Sequence, residues 1–457
     1  MRTRKNIKKI FFTKKRGSIF SQSLKKTKPK RKSKTKSQSK TKSQSKTKSQ
    51  SKTRSQSKTR SQYTPKVSED AGQAFAEGGF GCVFRPQLAC RNKQYKQNNG
   101  VSKLMKKKNQ KSELKEFARV QSIVKDIKNY NDYFLIDGVY GCTPAPLTPS
   151  DKVDFDIKCK NLAKKGFRKD NINTKLNSLG LINLPYGGVA VDKYLESWQT
   201  MQKSRKKTKD FSDTNKALIL LLTNGIVPLN KKRYLHMDVK GPNILHNVDK
   251  TGRTQCKLID WGLAADYKKT SIKKAPHMIY NGPIQYNTPF SVILFSDDVN
   301  ELIKDFINKM GFVASDIKSL DRAPFMRALA THLLKESLES IGMGHLSYIH
   351  SQLNIIFEKG SAFGEYIIVS YLATILDKYV NDALHFQEGK YFHEVFSKNV
   401  DVWGLIMAYY DAISIPQRHR DKTRMDIIKI IKKYCYSTTY AAAPIPIDTL
   451  VDDLSKL

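Results

Sequence analysis

The chain has 457 residues, with 82 Lys and Arg against 41 Asp and Glu, which gives a formal net charge of +41. Residues 1–66 hold 25 of the basic residues and none of the acidic ones, so the sequence divides into a cationic tail and a body. The length and apolar content of the body exclude a wholly disordered chain, a collagen-like chain and a miniature disulfide scaffold, and they predict two lobes or two domains.

The tail contains a repeat. Residues 37–60 consist of four copies of S-Q-S-K-T-[KR], and none of the copies contains an apolar residue. Burial of apolar surface offsets the entropy lost on folding, so we expect residues 1–66 to be a disordered basic tail. This tail is either a solvated tether or an arm that binds nucleic acid or another polyanion through its charge, without sequence specificity.

Cysteine spacing and hydropathy bear on the compartment. The six cysteines form no C-x-x-C pair and no Cys/His set with zinc-ligand spacing, and the simplest interpretation is a reducing compartment. The longest strongly apolar run, Tyr366–Leu376, has 11 residues, whereas a spanning helix requires about 20. The basic N-terminus has no apolar run of secretory-signal length. We therefore expect an intracellular protein without a transmembrane segment, not a secreted one.

In chain order, the first predicted elements of the body form a small sheet. FAEGGFGCVFRP at residues 75–86 predicts a strand, a glycine-rich turn and a second strand, and GVSKLM at residues 100–105 predicts a third. Apolar residues at helical spacing predict a helix over residues 112–127. Two further strands are predicted, at Tyr133–Ile136 and in LGLINLPYGG at residues 179–188.

The second half of the body is predicted to be mainly helical. The helices are expected at Lys216–Thr223, Asp297–Lys309, Phe325–Ile341 and Tyr366–Val380. His345 and His350 lie five residues apart. They have no acidic or thiol partners at helical spacing, so we expect them to be surface or packing residues rather than metal ligands.

The most specific strings in the chain are YLHMDVKGPNILHN at residues 234–247 and KLIDWGLA at residues 257–264. The first fits H-x-D-x-K-x-x-N, through His236, Asp238, Lys240 and Asn243. The second fits D-F-G with Trp261 in place of Phe. In this order the two strings resemble the catalytic loop and the metal-binding element of protein kinases. The chain thus resembles a divergent Ser/Thr protein kinase, similar to those encoded by large DNA viruses.

This resemblance implies an α+β, two-lobed protein-kinase fold. The β-rich small lobe and hinge are expected over residues 67–188 and the mainly helical large lobe over residues 189–457. It also implies ATP and Mg²⁺ as cofactors and protein hydroxyl groups as the phosphate acceptors.

The resemblance also assigns roles to the residues of both strings. Asp238 is expected to accept the proton of the substrate hydroxyl, and Lys240 to steady the γ-phosphate. Asn243 and Asp260 are expected to bind magnesium, which prefers oxygen ligands. His236 is expected to be structural.

By the same resemblance, the glycine-rich turn covers the nucleotide. Ala76 replaces the first glycine of the family pattern, which is expected to stiffen or lift the turn. LINLPYGG resembles the last small-lobe strand and the hinge, whose backbone would lie beside adenine. The residues expected to bind the nucleotide are Ala76, Glu77, Gly78, Gly79, Phe80, Gly81, Cys82, Val83, Lys103, Leu184, Tyr186 and Gly187.

The lysine expected to bind the α- and β-phosphates is Lys103, with Lys106 as the alternative. Its partner in the following helix is Glu116 or Glu113, which lie three residues apart. Glu116 is favoured because it directly precedes the apolar Phe117. An ordinary helix-surface carboxylate is the competing interpretation.

DVWGLI at residues 401–406 resembles the start of a helix whose aspartate, here Asp401, hydrogen-bonds the catalytic loop in the family. An ordinary helix N-cap aspartate is the alternative interpretation.

Other segments depart from the family pattern. Met237 replaces an arginine, so switching by loop phosphorylation is not expected. No A-P-E motif follows the D-W-G string, and Pro289 is interpreted as the substitute that anchors the end of the segment after that string. The long distance from there to Asp401 predicts a helical insertion at about residues 295–395.

Two alternatives stay open. One is a small-molecule kinase of the same fold, against which Lys240 and the GGFG turn argue. The other is a pseudokinase scaffold whose tail binds polyanions. A scaffold has no need of Lys103, Glu116, Asp238, Asn243 and Asp260 together, which favours catalysis. Ser and Thr beside Lys in residues 33–61 motivate a further hypothesis, that the protein phosphorylates its own tail.

Overall fold

The computed structural model describes residues 73–77, 81–91, 100–202, 204–311, 321–415 and 421–457. These residues all belong to one compact unit, Ala71–Leu457, with mixed helix and sheet. The predicted basic tail with its repeats lies outside the described residues. So do Gly78, Gly79 and Phe80 of the glycine-rich turn.

A five-stranded antiparallel sheet forms the first part of this unit. Its strands are β1 Gln73–Glu77, β2 Gly81–Arg85, β3 Gly100–Lys106, β4 Tyr140–Cys142 and β5 Leu179–Pro185, hydrogen-bonded in the order β1-β2-β3-β5-β4. Inward-facing side chains such as Phe84 and Leu104 are fully buried. The strands predicted at residues 75–86 and 100–105 therefore correspond to β1, β2 and β3.

Helix α1, Lys107–Val124, packs on this sheet and begins directly after β3, five residues before its predicted start. Gln110 in its first turns donates from Nε2 to the carbonyl oxygens of Cys142 (2.9 Å) and Leu181 (2.7 Å). These hydrogen bonds tie the start of α1 to β4 and β5. The helix is thereby oriented by the sheet as well as by its apolar face.

The predicted strand at Tyr133–Ile136 is wrong. Only Phe134 forms a β-bridge there, an isolated one with Leu258. Phe134, Leu135 and Ile136 are all buried, whereas the side chains of a sheet strand alternate between two faces. The run is apolar because it packs as a loop, with Phe134 against Trp261 at 5.6 Å between ring centroids. The outer strand of the sheet is β4.

The pairing of the cysteines does not agree with the interpretation of a reducing compartment. Disulfides join Cys82 to Cys159 and Cys90 to Cys142, while Cys256 and Cys435 are free and buried. The partners are 77 and 52 residues apart in sequence, yet the fold brings their Cα atoms to 5.2 and 5.8 Å. Disulfides persist in oxidising environments, so the cysteine argument for a reducing compartment fails.

The Cys82–Cys159 disulfide fastens β2 to the segment between β4 and β5. That segment contains the short helices α2, Phe155–Lys158, and α3, Lys160–Lys164, on either side of Cys159. Phe84 of β2 also packs against Phe155, at 6.1 Å between ring centroids. A covalent bond and an aromatic contact thus attach β2, the strand that follows the glycine-rich turn, to the segment between β4 and β5.

We expect reduction to destabilise this part of the chain. Each disulfide closes a loop of more than 50 residues, and removing such a crosslink costs about 2–4 kcal/mol of unfolding free energy. Urea denaturation with and without dithiothreitol measures the loss, and non-reducing peptide mapping identifies the pairs. Six alkylatable thiols in the unreduced protein, together with identical denaturation midpoints, would contradict both pairings.

The second part of the unit is mainly helical. Its helices are α4 Val191–Thr200, α5 Arg205–Leu220, α6 Val227–Lys231, α7 Val299–Met310, α8 Arg322–Ser340, α9 Leu346–Phe357, α10 Ser361–Tyr379, α11 Glu388–Tyr391, α12 Ser397–Ala408, α13 Lys422–Tyr434 and α14 Ile447–Leu454. Helices α7 to α11 lie within residues 295–395, and three of them match predicted helices. The helix predicted at Lys216–Thr223 is the end of the longer α5, which starts after the capping residue Ser204 and continues as a π-helical turn.

Helix α12 is the centre of this helical part, because every residue from Asn399 to Ala408 is buried. The Trp403 ring packs edge-on against Phe290, Tyr371 and Tyr436, with centroid distances of 5.5, 5.7 and 5.9 Å. Aromatic pairs in this geometry add to the stabilisation from burial alone. Within the described ranges, no helix has both the length and the apolar character needed to cross a membrane.

Short strands connect the two parts. Strands β6 Val189–Ala190, β8 Ile244–Val248 and β9 Thr254–Leu258 form a three-stranded sheet in the order β6-β8-β9, and β7 Tyr234–Leu235 pairs with β10 Ala265–Asp266. The two most specific strings of the sequence lie on these strands and on the loops beside them.

Candidate functional site

The β8–β9 hairpin brings the two strings together. Ile244 at the start of β8 pairs with Leu258 at the end of β9, and the Ile259 N–H donates to the Asn243 carbonyl at 2.9 Å. Asn243 and Asp260 therefore lie at the same end of the hairpin. Asp260 has a φ of 66°, in the left-handed region that few non-glycine residues adopt, and such strained positions cluster at functional sites.

The Asp238 carboxylate is held by three side chains of this region. Its residue is only 8% exposed. Lys240 Nζ forms an ion pair with it at 2.8 Å, and Asn243 Nδ2 donates to Oδ2 at 2.9 Å. Asn287 Nδ2 donates to Oδ1 at 3.0 Å. One cation and two amides thus fix the orientation of this carboxylate.

Asn287 was missed by the sequence analysis. It lies 49 residues after Asp238, outside both strings, and the only nearby signal was Pro289, interpreted there as an anchor of the chain. Asn287 Nδ2 also lies 3.3 Å from the Val239 carbonyl oxygen. We therefore add Asn287 to the candidate site as a residue that positions Asp238.

The Asp401 side chain hydrogen-bonds the loop that carries Asp238. Its Oδ2 and Oδ1 accept hydrogen bonds from the backbone N–H groups of His236 and Met237, both at 2.8 Å. This is the contact that the resemblance implied. Asp401 is the fifth residue of α12 rather than its N-cap, so the alternative interpretation is wrong. Burial raises the pKa of this carboxyl to about 6, against the lowering effect of the two N–H donors.

A glycine allows α12 to come this close to the loop. A Cβ atom on Gly404 would lie 2.3 Å from the Val239 carbonyl oxygen, so any larger residue would push the helix away. The Trp403 Nε1 donates to the Tyr286 carbonyl at 3.2 Å on the neighbouring segment. Helix α12 therefore positions both the Asp238 loop and the segment that carries Asn287.

His236 connects the first string to the second. Its ring is fully buried, with Nε2 3.0 Å from the Ile259 carbonyl oxygen, and it packs edge-on against Trp261 at 4.8 Å between ring centroids. Burial lowers the pKa of His236 to about 4, so the ring is neutral at pH 7. A neutral, buried ring agrees with the structural role expected for this residue. Trp261, which replaces Phe, fills the space between His236 and Phe134.

Lys103 pairs with Glu113, not with the favoured Glu116. Lys103 Nζ lies 2.7 Å from Glu113 Oε1 and 2.9 Å from Oε2. Glu113 is the seventh residue of α1, and Glu116 lies one turn further from β3. Three residues rotate a helix by about 300°, which also turns Glu116 about 60° away from Lys103. Burial raises the pKa of Glu113, and the charge of Lys103 opposes that shift.

Glu116 takes part in a different network. The Tyr234 hydroxyl donates to Glu116 Oε1 at 2.5 Å, and Arg119 lies 3.6 Å from Glu116 Oε2 and 3.4 Å from Asp266 Oδ2. The Arg119 guanidinium also lies over the Tyr234 ring, 5.5 Å from its centroid. Tyr234 belongs to β7 and Asp266 to β10. This network therefore ties α1 to the strands that flank the two strings.

The other predicted nucleotide-binding residues lie along the sheet. Ala76 and Glu77 end β1, while Gly81, Cys82 and Val83 begin β2, with Val83 opposite Lys103 in the register. The Cys82 side chain forms a disulfide with Cys159, so only the Cys82 backbone can contact a ligand.

At the other end of the sheet, Leu184 lies in β5 and Tyr186 follows it. The Tyr186 ring stacks with the Arg85 guanidinium at 3.5 Å. A Cβ atom on Gly187 would lie 2.5 Å from Leu245 Cδ1, so this residue lies close against β8.

A cavity of about 250 Å³ lies between α1 and the D-W-G string, and both Glu113 and Asp260 line it. It brings the Lys103–Glu113 pair to the same space as the end of the β8–β9 hairpin. Asn243 donates through Nδ2, which leaves Oδ1 as an acceptor, and Asp260 is exposed. An amide oxygen and a carboxylate are the hard donors that magnesium prefers, so the two residues fit that ion.

The histidines and cysteines form no metal-binding cluster in the described part of the chain. No group there of three or more His, Cys, Asp and Glu residues could hold a metal ion. His345 instead packs against Tyr286, with ring centroids 5.5 Å apart.

Comparison with known proteins gives a local similarity. No family model matches the chain. A stretch of 60 residues, 13% of the chain, is 35% identical to nucleosomal histone kinase 1 of Drosophila melanogaster and covers 10% of that protein. The similarity therefore indicates a relationship to a kinase over a short segment, and it spans far less than the length of that relative.

Proposed function

We propose that the chain is an ATP- and magnesium-dependent Ser/Thr protein kinase with a small lobe and hinge over residues 67–188 and a large lobe over residues 189–457. The observation that carries this proposal is the Asp238 carboxylate, held by Lys240, Asn243 and Asn287 beside the hairpin end that presents Asp260. The local similarity to a histone kinase supports the same class.

In this reaction the hydroxyl oxygen of the substrate forms a bond to the γ-phosphorus of ATP, and its proton passes to Asp238. The bond from the γ-phosphorus to the bridging oxygen breaks, and ADP leaves. Lys240, 2.8 Å from Asp238, places a positive charge beside the phosphoryl group in transfer. Asn243 and Asp260 would hold magnesium, which would supply positive charge to neutralise the phosphates.

Lys103 is the cation on the sheet side of the cavity. Its bidentate pair with Glu113 holds the ammonium group in one orientation before the nucleotide arrives. A charged group held ready in this way loses little further entropy on binding the α- and β-phosphates. Lys106, the alternative, ends β3 and is exposed, with its Nζ 5.8 Å from the centre of the Phe167 ring.

The experiment that tests the proposal uses the full chain with γ-labelled ATP and four acceptors: a histone as a basic protein, a panel of peptides, the protein itself and an aminoglycoside. We expect label on Ser or Thr, lost on chelation of magnesium. ATP binding without label would favour a pseudokinase scaffold. Label on an aminoglycoside but on no protein would favour a small-molecule kinase.

The Glu116 network gives a prediction about the position of α1. Arg119→Ala is expected to lower kcat about 1.5- to fivefold, because exposed ion pairs contribute about 0.2–1 kcal/mol. The charge-swapped double variant Arg119→Asp with Asp266→Arg should recover part of the loss. Lys335→Ala, which breaks an exposed pair with Glu339 on α8, is the matched control. A kcat unchanged by Arg119→Ala would show that the network does not position α1.

A further inference from the structure

Exposed cations are concentrated on two segments at one end of the five-stranded sheet. Residues 106–115, where β3 leads into α1, and residues 160–169, which contain α3, together hold ten Lys and Arg and one acidic residue, Glu113. This surplus of nine is more than half the surplus of residues 67–457, which hold 57 basic and 41 acidic residues. All ten cations are exposed. They are Lys106, Lys107, Lys108, Lys111, Lys115, Lys160, Lys164, Lys165, Arg168 and Lys169, and we call them the lysine surface.

The fold places the two segments side by side. Lys106 ends β3 and pairs in the register with Leu179, which begins β5. Its Nζ lies 5.8 Å from the centre of the Phe167 ring, which belongs to the second segment. A Cβ atom on Gly180 would lie 2.3 Å from Gln110 Cδ, so the start of α1 also lies against the start of β5. The two segments therefore form one surface, although they are separate in sequence.

The lysine surface forms no ion pairs with the residues that the structure describes, and Glu113 is bound to Lys103 instead. Lys107, Lys111 and Lys115 lie four residues apart along α1, and like charges at this spacing destabilise a helix. Elsewhere, exposed lysines pair with carboxylates, as in Lys209–Asp213, Lys335–Glu339 and Lys429–Asp426. A cluster of cations without such partners repels itself, so it indicates a ligand that brings negative charge.

The side chains between the cations distinguish among polyanionic ligands. No large apolar side chain is exposed within the two segments, and Phe167 is only 7% exposed. A surface that inserts into lipid needs exposed apolar groups, and one that binds single strands uses aromatic rings on which bases stack. The lysine surface offers neither. It offers charge alone, which matches a duplex that carries about one negative charge per 1.7 Å of its axis.

We propose that the lysine surface binds the phosphate backbone of double-stranded nucleic acid without reading its bases. The row from Lys107 to Lys115 is about 12 Å long, a distance over which a duplex carries about seven negative charges. Contacts between these cations and phosphates release condensed counterions, which favours binding. The surface belongs to the compact unit Ala71–Leu457 and is distinct from the basic tail. It also goes beyond the proposed function, because no step of phosphoryl transfer requires it.

The first experiment measures the fluorescence anisotropy of a labelled DNA duplex of about 20 base pairs. The parent protein is the full-length chain with the 25 basic residues of 1–66 replaced by Gln, so that the tail does not contribute. The triple variant Lys107→Gln, Lys111→Gln and Lys115→Gln should raise Kd at least tenfold at about 100 mM KCl and lower the slope of log Kd against log salt by about two to three. No duplex binding by the parent, or an unchanged Kd in the variant, would overturn the proposal.

Two further triple variants assign the binding to this surface. One changes the second segment, and it should also raise Kd at least fivefold: Lys164→Gln, Lys165→Gln and Arg168→Gln. The other is the control, which removes the same number of charges from exposed positions of α7 and α11: Lys304→Gln, Lys309→Gln and Lys390→Gln. The control should bind the duplex within about twofold of the parent, and melting temperatures should show that all the variants fold. A control that raises Kd as much as the other variants would reduce the effect to net charge and overturn the surface.

Competition against the labelled duplex identifies the class of ligand. Unlabelled DNA and RNA duplexes should compete about equally, because both present phosphates. At equal charge they should compete at least tenfold better than single-stranded DNA, polyglutamate, or vesicles of phosphatidylserine and phosphatidylcholine. Stronger competition by polyglutamate would make an acidic protein the ligand, and stronger competition by vesicles would make it a membrane, so either result would overturn the proposal. A preference of more than tenfold for one type of duplex would overturn recognition through phosphates alone.

These binding measurements use no ATP, which separates the inference from the proposed function. Duplex binding by a chain that transfers no phosphate would retain the lysine surface and remove the kinase. Phosphate transfer by a chain that binds no duplex would do the reverse. The absence of both would remove both.

Discussion

Asp238→Asn is expected to lower phosphoryl transfer at least about a thousandfold, within the range that loss of a general base produces. Asparagine has the same shape but no charge, so it cannot take the proton of the substrate hydroxyl. Its amide nitrogen would also face Lys240, Asn243 or Asn287, all of which donate to the native carboxylate. Transfer from labelled ATP, measured with excess enzyme, quantifies the residual rate.

Two further measurements make this result specific. ATP binding by the variant should stay within about threefold of the wild type, because the phosphates are expected to contact Lys103 and an ion held by the proposed ligands Asn243 and Asp260 rather than Asp238. The melting temperature should show that the fold is retained. Asp382→Asn, which changes an exposed carboxylate in the loop before α11, is the control and should keep full activity. Undiminished transfer by Asp238→Asn would show that another group accepts the proton, and the proposed site would then be wrong.

The parts of the site that the sequence predicts are those held together locally. Asn243 and Asp260 are joined by one hairpin, so a string of about 30 residues contains both of them and Asp238. Asp401 lies far along the chain, yet it was found because its helix has a distinctive Asp and Trp of its own. Motifs of this kind carry information only about the residues within them.

The residues that the sequence misses are placed by the tertiary structure. Glu113 and Glu116 differ by a small rotation, and the choice between them depends on where α1 begins, which Gln110 and the sheet decide. Asn287 belongs to no string and reaches Asp238 because Trp403 holds its segment against α12. Neither fact can be obtained from helical periodicity or from local spacing.

The sequence analysis did not predict the disulfides for a related reason. Pairing of cysteines 77 and 52 residues apart depends on how the strands of the sheet and the segment before β5 come together. The insertion shows the same limit: its helices are predicted by apolar spacing, but the contact of Tyr348 with Tyr286 depends on how α9 packs. Periodicity identifies an element, while its neighbours identify its role.

Substitution of Glu113, the glutamate that pairs with Lys103, is expected to cause the second large loss of activity. Glu113→Gln is expected to lower kcat/KM for ATP about 10- to 100-fold, because it breaks a bidentate, charge-assisted pair with a mostly buried lysine. Hydrogen bonds between charged groups contribute about 1.5–3 kcal/mol, and about 1.4 kcal/mol corresponds to a factor of ten. Glu116→Gln, on the same helix and of the same chemistry, is the matched control. It should cost no more than a fewfold loss, because glutamine can still accept from Tyr234.

A double-mutant cycle establishes that Glu113 acts through Lys103. In a Lys103→Met background the additional effect of Glu113→Gln should largely disappear, since the group that it positions is gone. Glu116→Gln should retain its small effect in that background, because its partners are Tyr234 and Arg119. A larger loss from Glu116→Gln than from Glu113→Gln, or full additivity of Glu113→Gln with Lys103→Met, would show that the pair seen in the structure does not position the lysine for the nucleotide.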